Sequence, residues 1–195
     1  MRWYVFAVGF FAVVKLVAAA AYRAGTGHWP TFDTTPWYVV LSSIVVSGIV
    51  GGPLGEEVGW RGYALPRLTE RFGAAAAALV VGVVWACWHL PLFVLSGLDA
   101  FTDQFGQSFP TYVLQVTALS VALAWLTHRT GGSLLLAVVM HSAINQTKDL
   151  LPSRVPGADD PWALSHSPIA WLTIAVLWLA ATWFLVRLHR AEQPA

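Results

Sequence analysis

Gly55-Glu56-Glu57-Val58-Gly59-Trp60-Arg61-Gly62 sets two carboxylates and a guanidinium between long apolar runs. A charged side chain near the centre of a bilayer costs roughly 2.5 to 3.5 kcal/mol on insertion scales, so such groups usually face an interior cavity and carry function. The flanks establish that a bilayer is the right setting. Of the 195 residues, 57% are hydrophobic and only 11% are charged, against a charged share of about 25% in soluble domains. The short polar loops leave no room for a second, soluble unit, so residues 1–195 are expected to form one all-α integral membrane domain.

Working outward, six apolar runs cover residues 3–22, 37–54, 74–95, 111–127, 133–151 and 169–186. A crossing helix needs about 20 residues, so the expected fold is a polytopic bundle of about six transmembrane helices around a polar cavity. Lys15 interrupts the first run. A cleaved signal peptide is the competing reading there, but it would place that lysine inside the apolar core. Gly51, Gly52 and Pro53 are expected to kink the second helix just before the paired glutamates, and Pro66 is expected to interrupt the polar stretch that ends at Gly73. The loop at 96–110 carries Asp99 and Asp103, and that at 152–168 carries Arg154, Asp159 and Asp160. Arg2, Arg67, Arg71, Arg129, Arg187 and Arg190 all fall on one side of a six-helix count. Retained loops are rich in such residues, so both termini are expected to be cytoplasmic. Near-zero net charge with no basic patch excludes nucleic acid as a partner. The single cysteine, Cys87, excludes an intrachain disulfide and reads as a packing residue.

Glu56 and Glu57 are neighbours, so on a helix they point about 100° apart and cannot share a role. Glu57 and Arg61 stand at i, i+4 and pair on one face, leaving Glu56 free to face a cavity. Glu56 and His89 lie almost equally far on either side of Gly73, each about 25 Å along its helix. In an antiparallel hairpin that sets the carboxylate and the imidazole at one level. Trp85 shares a helix face with His89 and is expected to wall the site. His141 and Asn145, again i, i+4, present an imidazole and an amide together.

Each group suits hydrolysis. A carboxylate desolvated in an apolar cavity becomes a stronger base, which suits Glu56 to activate water, with His89 sharing the proton. His141 and Asn145 can donate hydrogen bonds to the oxygen that turns negative when water attacks an amide. Zinc held by Glu56, His89 and His141 is an alternative, although no His-Glu-x-x-His is present. A serine mechanism at Ser133 and a Cys87–His89 dyad both fit poorly. A non-catalytic immunity or peptide-binding protein would use the same cavity without turnover.

These motifs resemble those of the CAAX protease and bacteriocin-processing family of intramembrane peptidases. Glu56-Glu57-Val58-Gly59-Trp60-Arg61 matches the paired-glutamate motif ending in arginine. Trp85-Ala86-Cys87-Trp88-His89 is similar to the aromatic-to-histidine motif, with tryptophan where phenylalanine is usual. The turn Arg129-Thr130-Gly131-Gly132-Ser133-Leu134 and the pair His141 and Asn145 look like the last motif and its approach. The resemblance covers roughly residues 53–146 and implies an endopeptidase without a cofactor. Glu56 and His89 would activate water, and His141 and Asn145 would stabilise the oxyanion. Glu57, Arg61 and Trp85 would support the site or grip substrate. A bacterial cytoplasmic membrane and a peptide or protein substrate are the expected surroundings, and the prenyl group of eukaryotic relatives' substrates is not carried over. Family members commonly have more helices than six.

Overall fold

The computed structural model describes residues 1–32, 35–95, 108–150 and 167–191, so the aspartate- and arginine-bearing loops at 96–107 and 151–166 lie outside the described residues. Nine α-helices and one π-helical turn make up what is described. Helix α1 (Arg2–Thr26) ends at Gly27, whose φ of +77° lets its N–H turn back to the Arg23 carbonyl. Helix α2 (Trp37–Val50) stops at Gly51, and α3 (Gly52–Gly59) starts with Pro53 in its first turn. The chain axis bends by 54° at this break. Proline accounts for it, since its ring cannot sit beside the carbonyl of the preceding turn and it has no N–H to continue the ladder. Any side chain at Gly51 would press within 2.7 Å of the Ser47 carbonyl.

Pro66 produces a milder distortion. The helix widens into a π-helical turn at Trp60–Ala64, with the Leu65 N–H reaching the Trp60 carbonyl, and then continues as α4 (Leu65–Phe72). Such turns absorb an irregularity without ending the helix. Gly73, at φ +82°, makes the hairpin into α5 (Ala74–Trp88). The third expected run is not continuous: it breaks at His89 before α6 (Leu90–Leu95), because Pro91 cannot donate to the Cys87 carbonyl. Helices α7 (Phe109–Arg129), α8 (Leu134–Leu150) and α9 (Pro168–Ala191) complete the bundle.

Each of the six apolar runs is helical, the second and third with a break, yet among the described residues only four stretches, counting 74–93 across its break as one, are long and apolar enough to cross a membrane alone, and five if the bent pair 37–50 and 52–72 counts as one span. The fifth expected span is a shorter apolar helix over Leu134–Thr147. Helix α7 is the centre of the bundle, with every residue from Gln115 to Thr127 buried. Helix α5 packs on it where Gly82 brings the backbones together and the Ser120 hydroxyl donates to the Ala78 carbonyl at 3.1 Å. Small residues at such crossings are what hold helices together where lipid removes the hydrophobic driving force. Helix α8 is held between α1 and α2, the latter through Gly48 against Ser142. This sandwich fixes which face of α8 turns toward the α3–α5 hairpin.

Candidate active site

The break before Pro53 aims α3 at the bundle, and Glu56 and Glu57 come off it in different directions. Glu56 borders a cavity of about 420 Å³ that is also lined by His89, His141 and Asn145. Three structural elements therefore bring these four side chains to one space. Trp85, one turn before His89 on α5, orients two of them. Its indole Nε1–H donates to Glu56 Oε2 at 2.8 Å, and its backbone carbonyl accepts from His89 Nδ1 at 2.9 Å. A carbonyl oxygen only accepts, so the His89 proton sits on Nδ1 and the neutral ring carries its lone pair on Nε2. The His89 ring is flanked edge-on by Trp88 and Tyr112, with centroids 4.8 and 5.4 Å away.

Glu57 and Arg61 take another place. They line no part of the Glu56 cavity and sit behind it, 0% and 1% exposed. Glu57 Oε1 accepts from Arg61 Nη1 at 3.0 Å and from His141 Nδ1 at 2.8 Å. The Arg61 guanidinium also lies 4.8 Å over the Trp85 ring. A buried ion pair of this kind carries a large desolvation cost, offset only when geometry and further hydrogen bonds are good. Here the return is a fixed imidazole: the Glu57 carboxylate sets the orientation of His141, whose ring also meets Trp85 at 5.0 Å.

The sequence carries no sign of the Glu57–His141 bond, which joins helices far apart in the chain. It also missed Tyr112 and Gln115, which reach the cavity from α7 beside His89. Their signal was present as two polar-tipped residues at i, i+3 near the start of an otherwise apolar span. Among the described residues no group of three His, Cys, Asp or Glu is arranged to hold a metal ion, so the geometry lends nothing to a zinc set of Glu56, His89 and His141. Cys87, expected to be a packing residue, is instead exposed on α5.

A helical membrane protein with a carboxylate, two imidazoles and an amide around one internal cavity is the class that this fold and site define. A family model described as type II CAAX prenyl endopeptidase, Rce1-like, matches residues 35–147, more than half the chain, and the chain belongs to that family. A relative, CAAX prenyl protease 2 of Methanococcus maripaludis, is 30% identical over 99 residues, which cover 49% of this chain and 36% of the relative. The match thus spans about a third of that relative's length. All four cavity residues fall inside the stretch matched by the family model.

Proposed function

We propose that this chain is an intramembrane endopeptidase that hydrolyses peptide bonds with a water activated by Glu56 and His89. The observation that carries the reading is the convergence of Glu56, His89, His141 and Asn145 on one cavity inside an otherwise apolar bundle. Glu56 takes a proton from water as the oxygen attacks the amide carbonyl, and the His89 Nε2 lone pair accepts a hydrogen bond from the same water. The carbonyl oxygen becomes negative and receives N–H donors from Asn145 and from His141 Nε2. His141 already gives its Nδ1 proton to Glu57, so to donate through Nε2 it carries both ring protons, a cation facing a carboxylate. Collapse of the tetrahedral intermediate passes the proton held by Glu56 to the leaving amine. No covalent intermediate forms.

The substrate in this reading is a peptide or protein segment reached from the membrane, and the prenyl group in the relative's name stays with that relative. The arginine-bearing end of the bundle is the cytoplasmic end. In support, Trp3, Trp125 and Trp183 adjoin one another at that end, with ring centroids 5.8 and 5.7 Å apart, which gathers Arg2, Arg129 and Arg187 on one side.

Glu56→Gln tests the proposal, because it keeps the shape and removes the base. The purified protein is incubated with a peptide library, and cleavage products are compared with those of the variant. Loss of at least 100-fold is expected, in the range that general-base catalysis contributes (about 10² to 10⁴). A variant that cleaves as well as the parent would overturn Glu56 as the base, and a parent that yields no products would favour a peptide-binding protein over a peptidase.

A further inference from the structure

The ends of α7 and α9 carry a feature that peptide hydrolysis does not use. Between them lies a cavity of about 420 Å³ lined by Trp125, His128, Arg129, Trp183, Arg187 and Arg190. Trp183, Arg187 and Arg190 stand at i, i+4 and i+7 and form one stripe of α9, while Trp125, His128 and Arg129 form the matching stripe of α7. The cavity shares no lining residue with the one around Glu56. We propose that it binds the phosphate of an anionic phospholipid.

Three guanidinium groups that line one concavity from two helices suit an anion. No carboxylate among the described residues pairs with Arg129, Arg187 or Arg190. The two helix C-termini supply only about half a negative charge each, against three guanidinium groups, so the described groups by themselves leave a surplus near two positive charges. The enrichment of basic residues in cytoplasmic loops explains their sign and side but not their convergence on one concavity from two helices. Arginine presents a planar fork of N–H donors that fits phosphate oxygens in pairs. The Arg187 guanidinium lies 5.0 Å over the Trp183 ring, a stack that holds the fork while leaving its edge available.

Depth favours a lipid over free phosphate. Trp125 and Trp183, with centroids 5.7 Å apart, form one wall, and tryptophan gathers where acyl chains give way to headgroups. Trp183 is 49% exposed on the outside of the bundle, where a lipid would lie along it. A site between transmembrane helices with basic residues on the cytoplasmic side is suited to acidic headgroups.

Titration of the detergent-solubilised full chain with phosphatidylglycerol, phosphatidylcholine or inorganic phosphate, read by native mass spectrometry at low salt, tests this. Phosphatidylglycerol should bind in preference to phosphatidylcholine. Removing two arginines with Arg187→Gln/Arg190→Gln should weaken it about 30-fold, and Arg129→Gln on the other helix about fivefold, from the contribution of each basic residue near an anionic surface. Arg67→Gln/Arg71→Gln removes equal charge from another part of the same end and should change binding by less than about threefold. Equal binding of the two lipids, equal weakening by both double variants, or displacement of phosphatidylglycerol by an equal concentration of inorganic phosphate would each overturn the proposal. The α7 and α9 variants change different helices, so either alone decides the matter if the other does not fold.

Discussion

Glu57→Gln separates the two jobs that the buried pair behind the cavity performs. The substitution keeps the volume and leaves Arg61, 1% exposed, with its charge and without its carboxylate at 3.0 Å. Breaking a buried pair from one side costs about 3–5 kcal/mol, since the remaining charge is still desolvated. At about 2–4 °C per kcal/mol for a chain of this size, the thermal midpoint in detergent should fall by roughly 6–20 °C. Adding Arg61→Met removes the stranded charge and fills its space, and replacing a buried pair by apolar groups is often neutral or stabilising. The double variant should therefore recover most of the lost midpoint. Catalysis should not recover. His141 has lost the carboxylate at 2.8 Å in both variants, and a charge-assisted hydrogen bond is about twice as strong as a neutral one, so peptide cleavage should stay at least about tenfold down. Scanning fluorimetry reads the first quantity and single-turnover cleavage the second. If the double variant melts as low as the single one, charge pairing is not what holds this region; if it cleaves like the parent, Glu57 does not act through His141.

Three further outcomes follow from other contacts. Trp85→Phe keeps an aromatic side chain but drops the Nε1–H that reaches Glu56; loss of a hydrogen bond to a charged group, partly replaced by water in the cavity, should lower kcat/KM about tenfold, alongside a fall in thermal midpoint because the smaller ring leaves space at a buried position under Arg61, and unchanged kinetics would count against an orienting role. Gly82→Ala places a methyl 2.8 Å from the Thr117 Cα and 2.9 Å from the Ser120 Cβ, contacts that side-chain rotation relieves poorly, so stability in detergent should drop by about 1–3 kcal/mol through overpacking, and a silent variant would mean that α5 and α7 sit farther apart. Cleavage should persist after chelator treatment of protein whose metal content has been measured, whereas stoichiometric zinc lost together with activity would replace the Glu56 base with a metal mechanism.

The bundle was readable because its signals are local. Apolar runs mark the helices, and Gly51, Pro53 and Gly73 mark where the chain bends or turns, each by backbone chemistry that needs no partner. What stayed hidden was how strongly each break acts. Pro53 ends a helix and bends the axis by 54°, Pro66 is absorbed by a π-helical turn, and Pro91 opens a break at His89. The outcome depends on what packs around the freed carbonyls, which composition does not encode. The count of spans suffered for a related reason: polar residues along α8 shorten its apolar length, and the bend divides α2 from α3.

The site divides along the same line between local and long-range information. That Glu57 and Arg61 share a face is a matter of helical spacing, and the structure has them bonded. The Glu57–His141 bond depends on the rotation of α8 about its own axis, which is set by α1 and α2 packing on its other faces, and no spacing within either motif reports it. This bond matters for the chemistry because it decides proton positions. His89 faces a neutral carbonyl through Nδ1 and keeps a lone pair on Nε2, whereas His141 faces a carboxylate through Nδ1. In the proposed mechanism the two imidazoles of one cavity, alike in sequence, would take opposite tasks from the groups behind them: one to accept a hydrogen bond and one to donate. On that reading the division would rest on the second glutamate of the pair, which lines no part of the cavity and bonds His141 from behind it.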